Sequence, residues 1–355
     1  MLKIGVIGFG FMGRVHTACW QRLADAEVVA ICDANPHCKE DAQRALGNIQ
    51  GVLHPIDFDQ LATYHDVDDL LRHPGLDAVS IALPTHLHAA TAVRALAAGK
   101  HVLCEKPMAL TLEQCGRMVE ACRRSGKILQ IGHCVRFWPE YAKAAEIVRG
   151  GRYGQLMAVS LRRLSAAPTW AVDGWLSDES RSGGIALDLH IHDTDYLLYL
   201  LGRPQAVYSR GSRGPGRGVV HVATEYVYGD GQVATAEGSW AVMPSFGFQM
   251  SFILVLSSAT LVYDCTQSPS LRVYPREGEA FSPTLAEGDG YTRQIEHFAR
   301  SVRGEACDVV TTVESSRESV EVVLAEIESM QTGKIVGLSR QFNDLTIQPF
   351  DDLTL

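Results

Sequence analysis

The chain has 355 residues, is 46% hydrophobic and 21% charged, and carries a formal net charge of −9, enough apolar material for two domains with separate cores. Its acidic balance and scattered arginines offer no basic field to a phosphodiester backbone or an anionic lipid, which argues against nucleic-acid and membrane partners. No apolar run reaches the roughly 18 residues of a membrane-crossing helix, and Met1 to Arg14 leads into a strand pattern rather than a signal peptide, so a cytoplasmic protein is expected.

In chain order, Lys3 to Ile7 is an apolar, β-branched run that predicts a strand. Gly8 to Gly13 follow as G-F-G-F-M-G, and Arg14 to Leu23 continue as a helix. A strand, a glycine turn and a helix in this order form a dinucleotide-binding unit. Gly8 permits the tight turn, Gly10 lets backbone approach a pyrophosphate, and Gly13 lets helix meet strand. The helix N-terminus then holds the anion. The next strand, Val28 to Cys32, ends at Asp33, twenty residues beyond Gly13, where a carboxylate accepts hydrogen bonds from an adenosine ribose. That carboxylate would repel a 2′-phosphate, which favours NAD over NADP.

Further strands are expected at Ala78 to Leu83, His101 to Cys104 and Ile128 to Gly132, with helices at His88 to Ala98 and Leu112 to Arg124. Alternation of this kind predicts a doubly wound, mostly parallel sheet. Its strand ends face the ligand crevice, placing Pro84, Thr85, His86 and His88 after one strand, and Glu105, Lys106 and Pro107 after the next, where a nicotinamide would lie.

Residues 182–195, S-G-G-I-A-L-D-L-H-I-H-D-T-D, crowd Asp188, His190, His192, Asp193 and Asp195 together. The density of ligand-type residues suits a metallohydrolase, whereas a dehydrogenase would use only some of them to move protons. If Ile185 to Leu201 is helical, Asp188 and His192 share one face, with Asp195 on the same side as a support, and His190 lies about 200° away. Helical spacing therefore does not converge three or four ligands, and no metal is expected. The nine cysteines are dispersed and contain no C-x-x-C, which suits small core hydrophobes in a reducing compartment.

From about Ala158 the chain becomes β-rich, with runs at Val219 to Val227, Gln232 to Trp240, Gln249 to Leu256 and Ala259 to Tyr263, a turn at Gly229-Asp230-Gly231 and a glycine-rich loop at Arg210 to Gly218. These predict a C-terminal α/β domain on a large open, mostly antiparallel sheet. The division expected is 1–134 for the Rossmann domain and 135–355 for the substrate and oligomerisation domain. Arg162, Arg163, Trp170 and Trp175 suit a polyhydroxylated ligand, since an indole face covers sugar C–H groups and a guanidinium binds oxygens, and Arg163 and Trp175 are the pocket residues expected.

The glycine loop at Gly8 to Gly13, P-T-H-L-H at Pro84 to His88, E-K-P at Glu105 to Pro107, and G-G-I-A-L-D-L-H-I-H-D-T-D at Gly183 to Asp195 occur in the order and spacing of the glucose-fructose oxidoreductase and inositol dehydrogenase (Gfo/Idh/MocA) family, which the chain resembles over almost its whole length. V-R-F-W-P-E-Y at Val135 to Tyr141 and T-G-K-I-V at Thr332 to Val336 add to the resemblance. It implies that Lys106, Asp188 and His192 are catalytic. Cofactor contacts are expected at Gly8, Gly10, Phe11, Met12, Gly13, Asp33, Pro84, Thr85, His88, Glu105, Lys106 and Arg136, and substrate contacts at Lys106, Asp188 and His192 together with Arg163 and Trp175.

Chemistry agrees with the catalytic three, because hydride leaves a carbinol carbon only as the hydroxyl proton is withdrawn. His192 is preferred as the base. Lys106 then stabilises developing oxyanion charge, or is itself the base. Asp188 binds a substrate hydroxyl or orients the imidazole. His190 replaces the glycine usual at that point in the family motif and either packs in the core, the preferred reading, or narrows the pocket. The activity implied is NAD-dependent oxidation of a secondary alcohol in a sugar, sugar derivative or cyclitol. The alternatives are a redox-neutral glycoside-cleaving enzyme with tightly held NAD, or a non-catalytic NAD and sugar sensor. A homodimer or homotetramer through the open sheet is implied as well.

Overall fold

The computed structural model describes residues 1–41, 55–59, 61–169, 171–214, 218–229 and 231–338. Trp170 and Asp230, singled out above, lie outside the described residues. Two sheets organise the chain. The first is built from β1 (Leu2–Ile7), β2 (Ala26–Cys32), β3 (Ala62–Tyr64), β4 (Ala78–Ile81), β5 (His101–Glu105) and β6 (Leu129–Gly132), in the order β3-β2-β1-β4-β5-β6 with every pairing parallel. Strand order reverses between β1 and β4, so the carboxyl ends of those two strands open onto the crevice in which such sheets bind ligands.

The strands are short and apolar because both faces are covered. Ile4, Val6, Ala78 and Leu103 pack toward Val15, Trp20 and Phe298, while Val79, Ile81, Val102 and Cys104 pack toward Leu96, Met118 and Val320. The residues that sort to opposite faces alternate along each strand, as the pleat requires. Trp20 and Phe298 meet edge to face at 6.1 Å, which docks helix Gly290–Val302 onto the first helix, Phe11–Gln21. Late segments of the chain thus return to cover the first sheet.

The second sheet comprises β7 (Leu156–Ser165), β8 (Ala206–Arg213), β9 (Val219–Val227), β10 (Val233–Ser239), β11 (Phe248–Leu256), β12 (Ala259–Asp264), β13 (Leu271–Pro275) and β14 (Val336–Gly337). Their order is β13-β12-β11-β7-β10-β9-β8-β14, and all pairings are antiparallel except β7 with β10. The loop expected from Arg210 begins instead as the end of β8, which pairs with β9 as far as Arg213. Under the inner face, Tyr141 meets Tyr196, Phe252 and Tyr263 at ring separations of 4.7, 5.1 and 5.2 Å. Edge-to-face pairs of this kind add about 0.5–1.5 kcal/mol each beyond their buried area. The Tyr196 hydroxyl also donates to the Tyr141 carbonyl at 2.8 Å. This aromatic block fixes the helix Ile191–Leu201 on the sheet.

That helix does not run as one α-helix from Ile185. Residues Ala186–His190 form a π-turn, and α-geometry begins at Ile191. Such widened turns occur preferentially at functional sites.

Candidate active site

Gly8 has φ 88°, open to glycine at little cost, and a Cβ on Gly13 would lie 1.9 Å from the Gly8 carbonyl oxygen, so neither position admits a side chain. The first helix starts at Phe11, three residues before the expected Arg14, and Gly10 caps it with no side-chain bond of its own. A Cβ on Gly10 would meet nothing within 4 Å, so the helix N-terminus opens onto free space. The partial positive charge there suits a pyrophosphate. Phe11 and Met12 form the first turn. Asp33 stands at the end of β2, its Oδ2 accepting from the Phe9 N–H at 2.7 Å and its Oδ1 from the Asn35 N–H at 2.8 Å. The carboxylate is thereby locked against the glycine loop.

After β4, Pro84 is half-buried and Thr85 is buried with no partner for its hydroxyl among the described residues, as is Nδ1 of His86. His88 is placed differently from expectation. Its Nδ1 faces the Pro107 carbonyl and its Nε2 the Leu83 carbonyl, each at 2.8 Å, in a buried position. One ring nitrogen donates to a carbonyl and the other lies against the second carbonyl, between the β4 and β5 loops, so neither ring nitrogen is open to a cofactor. Burial, opposed by these bonds, pushes its imidazole below the ordinary range.

Lys106 follows β5 and reaches the π-turn, where its Nζ donates to the Asp188 carbonyl at 2.6 Å and to Asp188 Oδ1 at 3.0 Å. Both side chains keep a little exposure, 14% and 17%, as groups lining a crevice must. His192 is partly exposed, and its Nδ1 is buried without a partner among the described residues. Burial first, then the charges of Lys106, Arg163 and His133, hold its imidazole well below the ordinary value.

The remaining acidic residues of the segment are committed elsewhere. Asp193 receives both Nε and Nη2 of Arg163 at 2.9 Å, and Asp195 receives Nε and Nη2 of Arg136 at 2.8 and 2.7 Å and the Ser319 hydroxyl at 2.8 Å. Two expectations are corrected by these pairs. Arg163 is 3% exposed and also meets Met250 Sδ at 3.3 Å, so it is a core anchor rather than a pocket residue. The period of two along β7 explains why: Arg162 points outward to Glu237, and its neighbour must point in. Arg136, expected at the cofactor, is buried and bound to Asp195, the Val310 carbonyl and Ser315. Trp175 is half-buried in the turn Val172–Ser177, which leads into a short helix, Glu179–Ser182.

His190 points away from Lys106, as the helical spacing required. It is fully buried, with Nε2 at 3.2 Å from Thr224 Oγ1 and 3.3 Å from Glu326 Oε2, and it packs against Gly238. Burial pushes it down to about 3 and pushes Glu326 up to about 8. Asp188 and His192 stay near Lys106 while His190, Asp193 and Asp195 each turn to separate buried partners, so these five side chains do not converge as a metal centre requires.

Two histidines were missed. His133, just past β6, is buried beside Asp195 at 3.2 Å, with neither ring nitrogen hydrogen-bonded among the described residues, and burial lowers it to about 4. The rule that strand ends face the crevice, applied to β6, would have found it. His16 in the first helix bonds Glu105 at 2.9 Å, across 89 positions that no local pattern connects.

An oxidoreductase family model with an NAD-binding Rossmann fold matches residues 2–133, and the GFO/IDH/MocA C-terminal domain model matches residues 141–262. The chain is 32% identical over 212 residues to a myo-inositol 2-dehydrogenase of Thermotoga maritima, a match that spans 59% of the chain and only 58% of that relative. It is 26% identical over 353 residues to an NAD(+)-dependent scyllo-inositol 2-dehydrogenase of Bacillus subtilis, spanning 95% and 96% of the two chains. The fold is shared with a levoglucosan dehydrogenase solved with NADH and levoglucosan, at a TM-score of 0.79 and 23% identity over 96% of this chain and 100% of that one.

Proposed function

Because the chain belongs to the Gfo/Idh/MocA oxidoreductase family, we propose that it is a dehydrogenase moving a hydride between NAD and a secondary alcohol of a sugar, sugar derivative or cyclitol. The observation that carries this reading is the Lys106–Asp188 pair at the crevice, with the unpartnered His192 on the same helical segment. Open space at Gly10, the locked Asp33 carboxylate and the orphaned Thr85 hydroxyl fit a bound dinucleotide. Gly8 to Gly13 and Asp33 would hold its adenosine and pyrophosphate half, and Thr85, Glu105 and Lys106 the nicotinamide half. The dinucleotide, when bound, supplies the hydride acceptor.

The protein's part is proton handling. His192, held neutral by burial and by nearby cations, is the proposed acceptor of the hydroxyl proton through Nε2, since its Nδ1 is buried. Lys106 is the cation that stabilises oxyanion charge as that proton leaves, and Asp188 holds the ammonium in place through two oxygens. Trp175 is proposed at the rim of the sugar site. A division at 1–134 and 135–355 is retained as the functional one.

A panel of sugars and cyclitols followed by NAD reduction at 340 nm tests this function. Once a substrate is found, Lys106→Ala and His192→Ala should each lower kcat by about 100-fold or more, and in His192→Ala NADH affinity should stay within about twofold. Wild-type turnover in both variants would remove them from the mechanism. We also propose that two copies pair through the outer face of the second sheet, where exposed Val233 and Ile253 flank Arg162, His221 and Glu237. A sedimentation mass of one chain would refute it.

A further inference from the structure

Behind the crevice, the first helix carries a buried polar chain that the catalytic assignment does not use. Trp20 Nε1 donates to Ser80 Oγ at 2.9 Å, Ser80 Oγ lies 3.2 Å from Nδ1 of His16, and Nε2 of His16 lies 2.9 Å from Glu105 Oε1. Trp20, His16 and Ser80 have no exposed surface, and Glu105 retains 6%. An indole nitrogen can only donate, so Ser80 accepts from Trp20 and has its own proton to offer. A carboxylate can only accept, so His16 carries a proton on Nε2 whichever way the Ser80 contact runs. Glu105 Oε1 is thus occupied from inside the protein. Oε2 has no hydrogen bond among the described residues.

We propose that His16 is a positioning residue for the cofactor: it orients the Glu105 carboxylate so that Oε2 accepts a hydrogen bond from a donor on the nicotinamide half of the dinucleotide. The inference rests on the placement of that half at the ends of β4 and β5. The carboxylate sits over Gly132, where a Cβ would lie 2.9 Å from Glu105 Oε1, so the neighbouring strand makes room for it in this orientation. Charge is also at stake. Burial by itself would raise the Glu105 carboxyl, and the hydrogen bond and charge of His16, followed by Lys106 and His88, outweigh it and keep the group below its ordinary value. The other titratable groups around it are Cys104 on its own strand, His133 and Cys134 beyond β6, and Tyr291 of the helix Gly290–Val302. Among these, His16 is the one with a hydrogen bond to the carboxylate.

The test is NADH affinity, read by fluorescence titration from pH 5.5 to 8.5, which needs no substrate. In the wild type, an ionised Glu105 gives an affinity nearly independent of pH through its own titration. In His16→Leu the buried carboxyl loses its donor and takes up a proton at low pH, so affinity should fall roughly tenfold near pH 6 and recover as the pH rises. His16→Gln, whose amide nitrogen reaches the place of Nε2, should restore most of the loss. Glu105→Gln should be pH-independent, and adding His16→Leu to it should cost no more than twofold further.

Ser80→Ala keeps the imidazole but frees its Nδ1, and should give a shift of the same sign and smaller size, which covers the case in which His16→Leu does not fold. A flat pH profile with affinity within twofold of wild type in the folded His16 or Ser80 variants would overturn the role, as would fully additive losses in the double variant. If wild-type protein itself fails to bind NADH, the cofactor placement falls instead.

Discussion

Asp193→Asn probes the buried pair that seats the catalytic helix. The substitution keeps the shape of the side chain and removes its charge, leaving the Arg163 guanidinium, 3% exposed, with a neutral oxygen where it had two charged acceptors at 2.9 Å. Removing one partner of a buried ion pair costs about 3–5 kcal/mol, because the other charge stays buried and uncompensated. At roughly 2 °C per kcal/mol for a chain of this size, the unfolding midpoint should drop by about 6–10 °C. Differential scanning fluorimetry with urea unfolding as a second probe measures it.

A companion variant decides the cause. Replacing both partners, Arg163→Met with Asp193→Leu, removes the desolvation cost together with the attraction, and should recover most of the lost stability. Because Asp193 directly follows His192, the single variant should also lower turnover more than it changes NADH affinity. A midpoint shift under 2 °C in Asp193→Asn, or a double variant less stable than the single one, would show that the pair does not anchor the helix.

Glu326 sits fully buried beside His190 and Thr194, and its carboxyl is pushed up to about 8 by burial. The folded state therefore binds a proton that the unfolded chain releases near pH 4.3, and the stability this confers is present below that value and lost as the pH rises through about 8. Relative to Glu326→Gln, the wild type should lose roughly a few kcal/mol between pH 5 and pH 9, seen as converging or crossing melting curves, and parallel curves would refute a buried titrating group. Asp33→Ser should weaken NADH binding about tenfold while NADPH binding weakens less or improves, since a charge that repels a 2′-phosphate is gone. An unchanged ratio of the two affinities would remove Asp33 from ribose recognition.

What the sequence made legible divides by the range of the physical cause. The glycine loop, Asp33 and the pairing of β1 with β2 rest on interactions within about thirty residues, where spacing alone determines geometry, and they stand where the spacing put them, with the helix starting at Phe11 rather than Arg14. Arg163 and Arg136 were misplaced because a guanidinium reads the same whether it faces a sugar or a buried carboxylate. The information to separate the cases was partly present. Adjacent residues on a strand face opposite ways, so Arg162 and Arg163 could not both line one pocket, and once the pocket takes Asp188, the segment's further aspartates need buried cationic partners. Two arginines upstream meet that need, Arg163 for Asp193 and Arg136 for Asp195, and a charge balance drawn over the helix would have proposed both. No such balance finds the π-turn at Ala186–His190, since it depends on how the helix meets Lys106 and the sheet, or His16, whose partner lies on another strand. His190 shows the same limit from the other side. Angular spacing alone turned it away from the crevice, but the neutral carboxylic acid it meets on a helix more than a hundred residues later is a property of the assembled core.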